Sequence, residues 1–260
     1  LGGDASAMSS NPAGLGIYGS SEVVGTLSLS SIDTKSDWKG NVSKDDKSKL
    51  SFDNFSYVGY FPTANESGIM SWNIGLSYNR LKNFNRNYRL SGSQAYSLAD
   101  YAADISYGIH ENDLIYVKDS YDPYNNPNNP WMSVLGYEAG YFGSFLNDRS
   151  SYHSGFGTSN ATGDIWYADS PQNTTLNVSE KGAVDQYNFA FATNISNSVF
   201  LGATLAVTDI NYSISSIYDE RFAGGDYLYL DNGLTTEGTG YSFSLGAIVG
   251  LVDALRLGVS

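Results

Sequence analysis

Hydrophobic and polar positions alternate with a period of two along much of the chain, the pattern of strands with one apolar face. In MSWNIGLSYN (70–79), Met70, Trp72, Ile74, Leu76 and Tyr78 share one face, and Ser71, Asn73, Gly75, Ser77 and Asn79 the other. Residues 241–251 repeat it, with Tyr241, Phe243, Leu245, Ala247, Val249 and Leu251 opposing Ser242, Ser244, Gly246, Ile248 and Gly250. A helix would scatter these side chains around its circumference. Weaker runs lie at 22–31, at 52–61 (Phe55, Tyr57, Phe61), at 187–192 (Tyr187, Phe189, Phe191), at 199–207 and from Leu255 to Val259. Seven strands are expected, most near the ~9–11 residues that a tilted membrane strand needs.

The linkers between these runs alternate in length: 32–51 long, 62–69 short, 80–184 very long, 195–198 short, 213–238 long and 252–254 short. Outer-membrane barrels have short periplasmic turns and long external loops. A sandwich mixes its connection lengths more freely. On this reading the first strand runs outward, and 80–184 is external. That region is too long to lack elements of its own. Tyr96, Ala99, Ala103 and Tyr107 give Ser93–Ile109 a helical spacing, and a second helix is expected over Trp131–Phe145, after the breaker-rich run 122–130.

Composition sharpens the choice of solvent. Charged residues are only 16% of the 260, aromatic residues reach 14%, and mean hydropathy is −0.27. Soluble domains carry about 25% charged residues. No run approaches the ~20 apolar residues of a membrane helix, which excludes a helical membrane protein but not a barrel. A net charge of −13 argues against a nucleic-acid partner, and the absence of cysteine removes disulfides and thiolate metal sites. The competing reading is a secreted all-β binding domain, which would bury Trp72 and stay in solution without detergent. Seven strands do not close in the usual even-numbered way, so the chain is expected to be part of a larger barrel that lacks its leader and its remaining strands.

Just before the first strand stands Asp4-Ala5-Ser6-Ala7, then Asn11-Pro12-Ala13-Gly14-Leu15. This stretch resembles the hatch segment of the FadL/TodX family, outer-membrane transporters of long-chain fatty acids and aromatic hydrocarbons. The resemblance is tight over the hatch motif and general elsewhere. It implies an all-β fold, a transmembrane antiparallel barrel of fourteen strands with about half of them here. Residues 1–21 would be part of the N-terminal hatch, and 22–260 the first half of the barrel. Asn11, Pro12 and Ala13 would belong to the plug; proline's fixed φ and the Asn side chain favour a compact non-strand conformation. Localisation in the cell outer membrane, with contact to its lipid and lipopolysaccharide, is implied with it.

Candidate ligand contacts are the external aromatic and apolar residues Trp131, Met132, Leu135, Tyr137, Tyr141, Phe142 and Phe145. Apolar ligands need concave hydrophobic walls with a few polar anchors. The commoner use of such a stripe is to pack a helix onto the barrel rim. Tyr78 and Tyr241 fit an interfacial girdle, and Tyr218, Phe222, Tyr227 and Tyr229 either line an entrance or pack their loop. No catalytic role is expected, because a barrel lipase would need a Ser–His pair held at the barrel wall and neither His110 nor His153 is expected in a strand. Asp119, Asp122, Asn125 and Asn126 offer oxygen ligands, but their spacing matches no calcium loop and no metal or cofactor is expected. The function expected is passive uptake of hydrophobic small molecules. The alternative is an accessory or shuttle role in surface protein secretion or attachment, with a protein partner at the external loops.

Overall fold

The computed structural model describes residues 4–162, 165–252 and 255–260. The chain opens with helix α1 (Ala7–Ser10) and a 3-10 turn (Pro12–Ile17). Strands β1 (Glu22–Trp38), β2 (Asn41–Pro62), β3 (Ile69–Asn83) and β4 (Arg86–Gly92) follow. An insertion then carries α2 (Leu98–Ile105), α3 (Trp131–Glu138) and the short strands β5 (Phe142–Phe145), β6 (Asp148–Ser154), β7 (Gly157–Ser159) and β8 (Trp166–Ala168). Four strands end the chain: β9 (Asn173–Ile195), β10 (Val199–Arg221), β11 (Tyr227–Val252) and β12 (Leu255–Val259).

One eight-stranded antiparallel sheet holds the order β1-β2-β3-β9-β10-β11-β12, with β4 paired to β9 beyond the end of β3. It curls into a half-barrel. Among the described residues no helix is long and apolar enough to cross a membrane, which says nothing of strands.

Pairing register turns the alternation of single strands into rows across the sheet. On the convex face Phe55, Tyr78, Tyr187, Val207 and Tyr241 stand side by side, as do Tyr57, Leu76, Phe189, Leu205 and Phe243 two residues along. The next rows are Gly59-Ile74-Phe191-Ala203-Leu245 and Phe61-Trp72-Thr193-Leu201-Ala247. Tyr187, Phe189, Phe191, Leu245 and Val249 remain 38–62% exposed, with no second layer over them. Trp72, which a soluble domain would bury, is 38% exposed. Directly above the upper aromatic row the face turns polar. Arg80 Nε lies 2.9 Å from Asp185 Oδ1, and Thr239 donates to Asp209 at 3.1 Å.

Both expected long loops at 32–51 and 213–238 are strand instead. β1 and β2 pair continuously out to Trp38 and Asn41, and β10 and β11 pair out to Arg221 and Tyr227. Apolar alternation weakens beyond residue 31, while the backbone pairing, which does not depend on side-chain polarity, continues. Lys39 and Gly40 close the hairpin with φ of 51° and 87°, the left-handed pair that a two-residue turn requires. The asymmetry between the two ends of the sheet is therefore one of strand overhang. Short connections occur where expected, at 63–68 and 196–198; residues 253 and 254 of the third lie outside the described residues.

The helices are shorter than the spacing predicts. α2 starts after Ser97, whose capping box with Asp100 sets the first turn. α3 stops at Glu138, Gly140 has a φ of 71°, and Phe142–Phe145 is a strand paired to β6.

Candidate functional site

The concave face is plugged near its lower end. Asn11 is extended, and its Oδ1 accepts from the Ala13 amide at 3.0 Å, capping the turn that Pro12 begins. Met8, Pro12, Ala13 and Leu15 are fully buried against the sheet. Small residues make the room. Asn73, Ala192, Gly202 and Gly246 form one lateral row, and Gly75, Ala190 and Thr204 form the next. A Cβ on Gly75 would lie 2.7 Å from Met8 Sδ and 2.9 Å from Leu15 Cδ1. A Cβ on Gly202 would lie 2.5 Å from the Ala13 nitrogen and still closer to the Pro12 carbonyl. On Gly246 it would meet the Asn11 side chain and lie 3.0 Å from Pro12 Cδ. These glycines are small because the hatch backbone lies directly on them.

Above the hatch the same face carries three chambers. The lowest, about 650 Å³, lies between the hatch and β1–β3 and is the most polar of the three, with Asp4, Ser6, Glu22, Asp53 and Asn79 on its walls. A second, about 510 Å³, is lined by Ile32, Phe84, Ile210 and Tyr212 together with Lys82, Arg86 and Glu180. Arg86 and Glu180 pair through two nitrogen–oxygen contacts of 2.8 and 3.0 Å, and Phe84 meets Tyr212 edge-on at 4.9 Å. The uppermost, about 420 Å³, is the most apolar, with Leu98, Tyr101, Leu176, Tyr218 and Leu230 around Gln94, Ser216 and Asn232. Its apolar walls and few neutral polar groups are the chemistry of a hydrophobic-ligand pocket.

The wall beside the middle chamber is interrupted. β2 pairs with β3 only as far as Asn54 opposite Asn79. Pairing registers slip at Thr26/Leu27 and at Arg80/Lys82, and β3 breaks before β4 at residues 84–85. Side chains span the interval: Asn54 reaches Asn79 at 2.5 Å, Lys47 reaches Asn87 at 3.0 Å, and Asn41 donates to the Ser91 carbonyl at 2.7 Å. Bulges of this kind bend a strand locally and terminate pairing.

A cap built from the insertion borders the upper chamber through Ser97, Leu98 and Tyr101, and one carboxylate holds it there. Glu220, fully buried on β10, accepts from Gln94 Nε2 at 2.8 Å, Ser97 Oγ at 2.5 Å, the Leu98 amide at 3.1 Å and the Tyr218 hydroxyl at 2.6 Å. Burial, then the Glu220 contact, raises the Tyr218 phenol well above its usual range. Four donors thus satisfy a charge that would otherwise be costly to bury.

Of the candidate ligand contacts, Phe142 is buried in the cap's own core with Ala102, Ala103, Leu114 and Val134, and Met132 and Tyr137 pack on it. Tyr141 packs toward Phe222 and Leu228 and donates to the Tyr229 carbonyl at 2.5 Å. Trp131 is 56% exposed, Leu135 is half-buried, and Phe145 lines a separate pocket on the cap. None of the seven lines the three lumen chambers. Asn11, Pro12 and Ala13 lie against Gly202 and Gly246 on the concave face. Sequence reasoning missed Leu98, Leu176, Leu230 and Glu220. The inward parity of β10 and β11 carried past residue 213 would have found Glu220 and Leu230.

The chain matches no family model, no curated protein and no solved structure.

Proposed function

We propose that the protein is an outer-membrane β-barrel channel for passive uptake of hydrophobic small molecules. The observation that carries this reading is the convex apolar belt, bounded above by an aromatic row and an abrupt polar row. From Val199 to Val207 the outward residues of β10 are all apolar, and the next outward residue is Asp209. Eight residue steps at about 3.3 Å, tilted by roughly 40°, give a band about 20 Å tall, near the lipid-facing height of such barrels. Tyr78, Tyr187 and Tyr241 stand where interfacial girdles stand.

The concave side supports uptake. A hatch closes the lower lumen, and an apolar chamber opens near the cap, so a greasy ligand has a place to bind before it meets the plug. The fourteen-stranded FadL/TodX architecture remains part of this proposal, supported by the Asn11-Pro12-Ala13 motif and its seat on glycine.

The test is reconstitution into liposomes with uptake of a fluorescent apolar probe. Leu230→Asp should lower uptake by roughly tenfold or more, since it replaces about 1.5–3 kcal/mol of apolar contact with a charge. Leu205→Arg, in mid-belt, should block insertion at a cost of about 2–4 kcal/mol. A protein that is monodisperse without detergent, or a Leu205→Arg variant that inserts normally, would refute the reading.

A further inference from the structure

We infer that the cap carries a binding site for a small organic ammonium ion, distinct from the lumen chambers. The site is a pocket of about 400 Å³ between α2 and the hairpins β5–β6 and β7–β8. Its walls combine Tyr96, Phe145, His153 and Trp166 with Asp100 and Asp104.

The aromatic side is a contiguous cluster of three rings. His153 lies 4.1 Å from Trp166, ring centre to ring centre at 29°, and Phe145 meets His153 edge-on at 5.0 Å. These three rings belong to none of the buried apolar clusters, and the cap's core of Val134, Leu114 and Phe142 meets the pocket only through Ala103 and Tyr152. They are half-buried and line the pocket rather than the core.

The opposite side is negative. Asp100 and Asp104 are one helical turn apart, so both face the same direction. Asp100 is half-buried near the floor and Asp104 is exposed at the rim. Among the described residues neither forms an ion pair, and no Lys or Arg lines the pocket. Burial holds the Asp100 carboxyl above its usual range, with Glu220 and Asp104 adding to the effect. Tyr96 donates to Asp104, and that hydrogen bond comes first among the causes that push its phenol up to about 12. Among the described residues Asp104 accepts from Tyr96 and Asp100 from the Ser97 amide, so neither carboxylate has a cationic partner that an arriving ammonium ion would have to displace.

Aromatic faces attract cations through their quadrupole, most strongly when the cation is poorly hydrated. Carboxylates supply the long-range attraction. An anion would be repelled, and a neutral apolar molecule would leave the charge uncompensated. An ammonium ion with methyl substituents satisfies both walls.

The experiment is calorimetric titration of the detergent-solubilised full chain with choline and with its uncharged carbon analogue 3,3-dimethylbutanol. Choline should bind saturably, and the analogue roughly tenfold or more weakly. Asp104→Asn, an exposed isosteric change, should weaken choline about tenfold while the cap's amide exchange stays as in the parent. Trp166→Phe, which keeps a ring, should weaken it less. Equal affinity for the two probes, no saturable heat with choline, or an unchanged affinity in Asp104→Asn would each overturn the inference.

Discussion

Gly202→Ala should unseat the hatch while leaving the sheet intact. The added Cβ would stand 2.5 Å from the Ala13 nitrogen, and the Pro12 carbonyl is nearer still. Ordinary van der Waals contact begins near 3.4 Å, so the hatch must recede by about 1 Å. Backbone atoms cannot rotate out of the way as a side-chain end can. Overpacking of this kind costs about 1–3 kcal/mol. The hatch is held by burial of Met8 and Leu15, worth about 1.5–3 kcal/mol each. A loss of that size should accelerate hydrogen exchange of the hatch amides at residues 11–17 by about 5- to 150-fold. Gly240→Ala is the matched control, because its nearest contact would be the Thr208 carbonyl at 3.9 Å. Strand amides at 187–192 should exchange alike in both variants. If the two variants also show the same hatch exchange, the hatch does not rest on this glycine.

Two further outcomes concern the cap. Glu220→Ala leaves Gln94, Ser97, the Leu98 amide and Tyr218 without their shared acceptor, at a cost of about 3 kcal/mol or more. Exchange should rise sharply over 94–106 and stay unchanged in the belt; protection retained there would refute the anchoring role. Glu111 is held below its ordinary value of 4.5 first by the Ser144 hydroxyl and then by Arg149 and Tyr137. A depressed carboxylate stabilises the fold fully above its ordinary value and loses that contribution as pH falls through the lowered one. The excess exchange of Glu111→Gln over the parent at 142–145 should therefore vanish in acid; an excess that persists there contradicts the ion pair's role.

Much of the sheet was legible because alternation is a local property. Met70 to Tyr78 and Tyr241 to Leu251 place apolar side chains on the convex face and small or polar ones on the concave face, and period two records that directly. The turn at Asn11 and Pro12 was legible for a similar reason: Asn11 caps and Pro12 starts it within their own segment. Beyond residue 31 the signal failed, since neither face of the β1–β2 ribbon meets a uniform surrounding. Ser, Asp and Lys then alternate without contrast while the hydrogen-bond ladder continues. The candidate ligand contacts Met132, Tyr137 and Phe142 were visible as an apolar stripe, but a stripe does not say what it packs against.

The amino-acid order alone determined which residues lie on which side of each strand, and where the greasy run of each strand begins and ends. Tertiary structure decided the rest, because it depends on pairs far apart in the chain. Gly75, Gly202 and Gly246 acquire their purpose only when Met8, Asn11 and Pro12 fold back onto them. Glu220 becomes an anchor only when Ser97, 123 residues earlier, arrives with its hydroxyl. Asp100 and Trp166 line one pocket only because residues 66 positions apart are brought together in the folded cap. Such juxtapositions are set by burial and register across the whole sheet, which no window of sequence contains.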